Sequence, residues 1–181
     1  AGTAPFGSDV TAIVNAAKAL NDGLAPVGNR KVVLDTTAWA NATKLAAFSD
    51  VDKAGDRDAK MDGTVGHKYG FDWMFVQQVP LHTKGTGTSY VADGAQLAGD
   101  TTILLKTGTG TIVEGDVVTF ASHATKYNVL VGIAAPGTIT INPGLSQNIA
   151  DLDALTVGAN YRANLAFHQG AIAFASRVHV D

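Results

Sequence analysis

Apolar and polar residues follow two different patterns along this chain, and the switch between them divides it. From Asp9 onward apolar residues fall at Val10, Ile13, Val14, Ala17 and Leu20. That i, i+3, i+4, i+7 spacing predicts a helix with one buried stripe. Ser8 or Asp9 supplies its cap, and Asn21-Asp22-Gly23 stops it. Lys31-Val32-Val33-Leu34-Asp35 predicts a short strand, and Asp35-Thr36-Thr37 offers capping oxygens to a second helix through Trp39, Leu45 and Phe48. The stretch from Gly63 to Gly87 is the pivot. Glycines at 63, 66 and 70 precede an apolar run from Phe71 to Val76, in which Trp73 and Phe75 alternate with Asp72 and Met74. This is the period of a strand with one buried face. Pro80 cannot donate to a sheet ladder, so the strand ends there or runs along an edge.

Past Thr83 the chain turns to Gly, Thr and Ser, and short strand patterns follow at residues 101–106, 111–113, 117–120, 127–131, 138–141 and 155–157. Ala135-Pro136-Gly137 and Asn142-Pro143-Gly144 each place Pro then Gly at the centre of a turn. Five or six short, closely spaced strands make a small all-β sandwich or barrel, too long to be a plain loop between two elements of one body. The expected organisation is therefore a discontinuous α+β body, residues 1–93 and 158–181, with an all-β subdomain inserted at 94–157. Residues 164–175, Asn-Leu-Ala-Phe-His-Gln-Gly-Ala-Ile-Ala-Phe-Ala, carry apolar side chains on nearly every face. They predict a helix buried on more than one side and packed on the first body.

Composition narrows the functional classes. Hydrophobic residues make up 46% of the 181, enough for a real core, while charged residues are only 16%, below the quarter or so usual in soluble domains. The formal net charge is −3. Residues 94–157 hold Asp100, Lys106, Glu114, Asp116, Lys126, Asp151 and Asp153, so the whole imbalance sits on the insert. No basic run or stripe is present, which argues against sequence-specific nucleic-acid binding. No apolar run nears the roughly 18 residues of a membrane-spanning helix. Without Cys there are no disulfides, thiol nucleophiles or thiolate metal sites. The N-terminal Ala and the strand-like ending at Val178-His179-Val180-Asp181 point to a piece of a longer polypeptide.

The search for chemistry returns no catalytic, cofactor or metal residues. No Ser sits in a nucleophile elbow or beside a His with an orienting acid. The histidines at 67, 82, 123, 168 and 179 show no pair at metal-ligand spacing. His168, on an apolar helix, reads as a structural histidine. Asp50, Asp52, Asp56 and Asp58 imitate the opening of a calcium loop, but Ala54 and Met61 stand where an oxygen ligand and the bidentate Glu are required. Gly85-x-Gly87 and Gly108-x-Gly110 echo nucleotide loops, yet neither opens a helix, and both read as turns. Glu114 is the lone Glu, so any carboxylate pair would come from scattered Asp. Asn41-Ala42-Thr43 is a chance sequon inside a helix.

Several segments nevertheless resemble a known family. Gly66-x-x-x-Gly70-Phe71-Asp72 followed by Val79-Pro80-Leu81-His82-Thr83-Lys84-Gly85-Thr86 is similar to a strand of the major coat protein of short-tailed Salmonella-type phages. Glu114-Gly115-Asp116-Val117-Val118, Tyr127-Asn128-Val129 and Ile141-Asn142-Pro143-Gly144 resemble parts of that family's inserted β-domain. The block from Asn164 to Ala175 resembles its return segment and is the most specific match. The similarity covers most of residues 10–177 in order. It implies the tailed-phage capsid fold of the Hong Kong phage type, here the axial domain with its inserted β-domain and without spine helix, N-terminal arm or extended loop. It further implies a non-enzymatic virion shell subunit, assembled in the bacterial cytoplasm and encoded by a phage or prophage. Its partners would be copies of itself in capsomers and, through a full-length parent, scaffolding and portal proteins, with no cofactor. The competing expectation from the β-rich insert is a receptor- or glycan-binding module of a phage or bacterial surface protein.

Overall fold

The computed structural model describes residues 4–50 and 61–172 of the chain, which divides into two units. One spans Leu81–Tyr161, and the other is built from the residues up to Pro80 and from Arg162 onward. The fold is mixed α+β with mostly sheets. The unit boundaries differ from the expected 94 and 157: the β-only unit begins before Tyr90 and Ala92, which are buried in its core. Two residues of strand after a Gly/Thr run carry too little periodicity to be seen in the sequence.

In the mixed unit, α1 (Thr11–Asp22) has Val10 rather than Ser8 or Asp9 at its N-cap, without a side-chain capping bond, Asp9 accepting instead from the Thr11 N–H at 2.8 Å, and the Gly23 N–H closes its end on the Ala19 carbonyl. Strand β1 (Arg30–Leu34) leads into α2 (Thr36–Lys44). The expected second helix is two pieces. Leu45 is extended, with φ −68° and ψ 134°, and a short α3 (Ala46–Ser49) follows it. A tight hairpin joins β2 (His67–Lys68) to β3 (Phe71–Phe75) through Tyr69 and Gly70, both at positive φ. Two consecutive left-handed residues give the turn a twist that matches the strands, which explains a glycine at 70.

The segment expected to be a central helix is instead β12 (Leu165–His168) followed by a 3-10 turn over Gln169–Ala171; residues 173–175 lie outside the described region. An apolar run on all faces fits a strand as well as a buried helix. Here the open edge of β1 decides, pairing Val33 with Leu165 and Arg30 with His168 in antiparallel register. The sheet order is β12-β1-β3-β2, with β1 and β3 parallel. One sheet face presents Val32, Leu34, Phe71 and Trp73 to a core shared with Ile13, Ala38, Ala42, Phe48 and Val65. The buried Arg30 donates to the carbonyls of Pro26 and Ala25 and to the Asn21 side chain, so its charge is met by the loop that follows α1.

In the β-only unit, β5 (Val91–Ala92), β6 (Thr102–Lys106), β7 (Val117–Phe120), β8 (His123–Val131), β9 (Gly137–Asn142) and β10 (Leu155–Val157) form one sheet in the order β10-β7-β8-β9-β6-β5. Its ends nearly meet. Leu155 donates to the Tyr90 carbonyl and Ala92 to that of Asp153, both at 2.9 Å, so the sheet is an almost closed barrel, which leaves few exposed edges. Strict alternation puts Ile103, Leu105, Val118, Phe120, Tyr127, Val129, Ile139 and Ile141 inside. Bulges between Val118 and Phe120 and between Val129 and Val131 bend the strands. Past the end of β5, the Gln96 side-chain amide pairs with both the N–H and the carbonyl of Leu104, continuing the ladder with a side chain. Two short strands, β4 (Leu81–His82) and β11 (Tyr161–Arg162), pair with each other where the chain passes between units.

Each unit thus has its own buried cluster. Residues 81–161 produced alone should fold, giving a β-type circular dichroism spectrum and a cooperative melt; a spectrum of random coil would refute this. In the mixed unit, Asp35 caps α2 by accepting from Thr37 and Ala38, and its own N–H donates to Asn164. Burial pushes the Asp35 carboxyl up, but the bonds from Thr37, Asn164 and Ala38 outweigh it and hold it below its ordinary 3.8. Its contribution is therefore complete above that ordinary value and is lost as pH falls through the lower folded one. Asp35→Ala should cost about 1–2 kcal/mol at neutral pH and flatten the acid limb of a tryptophan-fluorescence stability profile, since Trp39 and Trp73 both lie in this unit.

Candidate functional site

Three arrangements of side chains bear on function, and two of them centre on histidine. In the β-only unit Asp116 is wholly buried. Its carboxylate accepts from the Gly85 N–H with both oxygens at 3.1 Å, from the Val113 N–H at 2.9 Å and from His82 Nε2 at 2.9 Å. The His82 ring lies 5.1 Å from the Tyr161 ring, and the Tyr161 hydroxyl donates to the Gly115 carbonyl at 2.8 Å. Residues from the entry (His82, Gly85), the β7 turn (Val113, Gly115, Asp116) and the exit (Tyr161) of the unit meet here. An imidazole held by a buried carboxylate is half of an acid–base dyad. Among the described residues no hydroxyl is bonded to the other ring nitrogen; the bonds that are made tie entry, turn and exit together as a clasp.

The second runs Ser122–His123–Tyr127–Ser146–Thr125. Ser122 Oγ lies 2.9 Å from His123 Nδ1, His123 Nε2 lies 2.5 Å from the Tyr127 hydroxyl, and that hydroxyl accepts from the Ser146 N–H and lies 3.0 Å from Ser146 Oγ. Thr125 Oγ1 extends the chain at 2.9 Å. This is the nearest approach to a nucleophile–base–orienter line. Tyr127, whose ring is buried in the barrel core, fills the orienting place with a neutral hydroxyl rather than a carboxylate. The line ties β8 to the segment after β9.

The third is the far face of the mixed unit's sheet, opposite its helices. Across it runs an apolar row, Leu165, Val33 and Met74, set by the register Val33↔Leu165 and Val33↔Met74. Beside it runs a second row, Phe167, Lys31, Asp72 and His67. Met74 is 48% and Leu165 55% exposed. Asp72 takes His67 Nδ1 at 2.7 Å and Lys31 Nζ at 3.7 Å, and these partners, His67 first, hold its carboxyl below the ordinary carboxylate range.

The residues singled out in the sequence fall elsewhere. His168 accepts from the Gly170 N–H through Nδ1 and caps the 3-10 turn. The acidic stretch from residue 51 to Asp58 lies outside the described region. Asn41 sits in α2 and donates to the Pro5 carbonyl. Gly85 and Gly87 do not make a turn; they run beside Thr109–Thr111, with Thr88 bridged to Thr109. A Cβ at Gly85 would stand 2.2 Å from the Thr111 carbonyl oxygen, so glycine is set there by backbone contact. Among the described residues no three His, Asp or Glu converge as metal ligands, and no helix is long and apolar enough to cross a membrane. Sequence reading missed the clasp because its members are spread from His82 to Tyr161; the Glu114-Gly115-Asp116 turn was the visible sign. Neither a family model nor a curated protein matches the chain.

The clasp gives a direct test. Asp116→Ala strands the Gly85 and Val113 N–H groups in the interior and should cost about 3 kcal/mol of the β-only unit's stability. Tyrosine near-ultraviolet dichroism in urea would measure this, and loss of less than about 1 kcal/mol would show the carboxylate to be dispensable.

Proposed function

We propose that the chain is the axial region, with its inserted β-domain, of the shell-forming subunit of a tailed-phage capsid. The observation that carries the reading is the ordered set of segments resembling the short-tailed Salmonella-phage coat protein: the Gly66 to Thr86 strand, the Glu114 to Gly144 pieces, and the Asn164 block. Three physical features support it. A β-only unit leaves an α+β unit at Leu81 and returns at Tyr161, the layout such a subunit has by resemblance. Charge density is low while large apolar side chains such as Leu24, Val27, Met74 and Leu165 stand exposed, as suits a protein that covers its surface with copies. A shell subunit also works by contact rather than chemistry, in keeping with histidines that act as clasp, tether and cap.

Ring closure in a capsid uses heterologous contacts, and by resemblance most come from an arm, spine helix and extended loop. These residues by themselves should therefore be monomeric or weakly associating, while a polypeptide that joins them to those elements should assemble into capsomers and shells. Light scattering and electron microscopy on both would decide. A joined polypeptide that stays strictly monomeric refutes the reading, and a discrete hexamer or pentamer of these residues alone shows the contacts to be misplaced.

A further inference from the structure

The far face of the mixed unit's sheet presents two rows of side chains, and their order across the strands matters more than their hydrophobicity. In strand order β12-β1-β3-β2 the rows read Leu165, Val33, Met74 and Phe167, Lys31, Asp72, His67. A two-fold axis lying between two such faces, parallel to the strands and midway between β1 and β3, exchanges those strands. It brings Lys31 of each copy opposite Asp72 of the other, twice, and Val33 opposite Met74, twice. We propose that this face is a self-complementary docking surface for a second copy of the chain, forming an isologous sheet-on-sheet pair.

Charge selects the occupant. A partner with a single sign of charge would meet Lys31 and Asp72 side by side and repel one of them, whereas a second copy satisfies both. Extent sets the strength. Four strands about 4.8 Å apart, with two to four residues each, cover roughly 250 Å² in projection. The pair therefore buries well under the roughly 1,200 Å² of stable complexes, so the association is weak and shows only at high protein concentration. The inference goes beyond the shell reading and stands or falls apart from it, since it concerns only this chain in solution.

Sedimentation velocity across about 0.02–2 mM protein tests it. The wild type should show a concentration-dependent monomer–dimer equilibrium. Lys31→Asp and Asp72→Lys should each weaken it about tenfold or more by setting like charges opposite, and Met74→Asp should do the same through the apolar row. The double variant Lys31→Asp/Asp72→Lys restores reciprocal pairing and should recover the wild-type constant, a rescue that misfolding cannot mimic. A wild type that stays monomeric to 2 mM, single variants that associate as well as wild type, or a double variant as weak as the singles would each overturn the proposal.

Discussion

The β-only unit depends on a carboxylate with no exposed surface. Asp116 gathers two backbone N–H groups and an imidazole, and in doing so fixes where the chain enters the barrel. Burying a charge is costly unless its lone pairs are filled, and here they are filled by groups that would otherwise be buried donors without partners. The close packing next to it follows. Gly85 lies against the Thr111 carbonyl, and Gly132 against that of Ile112, each too near for a side chain. Where backbone packs on backbone, hydroxyls take over the ladder: Thr86 N–H donates to Thr111 Oγ1 and Thr111 N–H to Thr86 Oγ1. The Gly-Thr alternation that looks like a flexible run is thus set by contact, glycine inward and threonine across the strands.

What was legible in the sequence was periodic, and what was hidden was long-range. The stripe from Val10 to Leu20 gave α1, and the alternation of residues 117–120 and 155–157 gave β7 and β10 within the observed bounds. Asp35 was readable as a cap because capping is local. The return segment was misread because its identity as β12 is decided by β1, about 130 residues earlier, whose edge it completes. Likewise β5 is two residues long and exists because its partner β6 lies beside it. The clasp and the hydroxyl line each need residues separated by 19 to 79 positions, and none of their local surroundings is unusual.

The return segment from Asn164 to Ile172 contributes β12 and a 3-10 turn rather than a helix. Its residues are constrained in ways a strand explains. Asn164 accepts from the Asp35 N–H, linking the return segment to the cap of α2, and His168 turns the chain after the last ladder pair. The apparent secondary structure of this segment misleads because its conformation is decided by tertiary pairing with β1.

The open sheet face follows from the same logic. Among the described residues the mixed unit is two layers, with its helices on one face, and alternation along β1 and β3 puts Val32 and Trp73 under the helices and Val33 and Met74 on the far side. A sheet face turned to water ordinarily carries polar residues. Here Leu165, Val33, Met74 and Phe167 are apolar, and the Lys31–Asp72 ion pair lies centrally, between β1 and β3, rather than at an edge. Hydrophobicity alone would make such a surface adhesive toward many partners. A Lys and an Asp paired on adjacent strands instead restrict it, because a second copy turned about the strand direction sets each charge opposite its complement as well. Specificity here arises from what the pair of charges rejects, and it requires no more area than this small face provides.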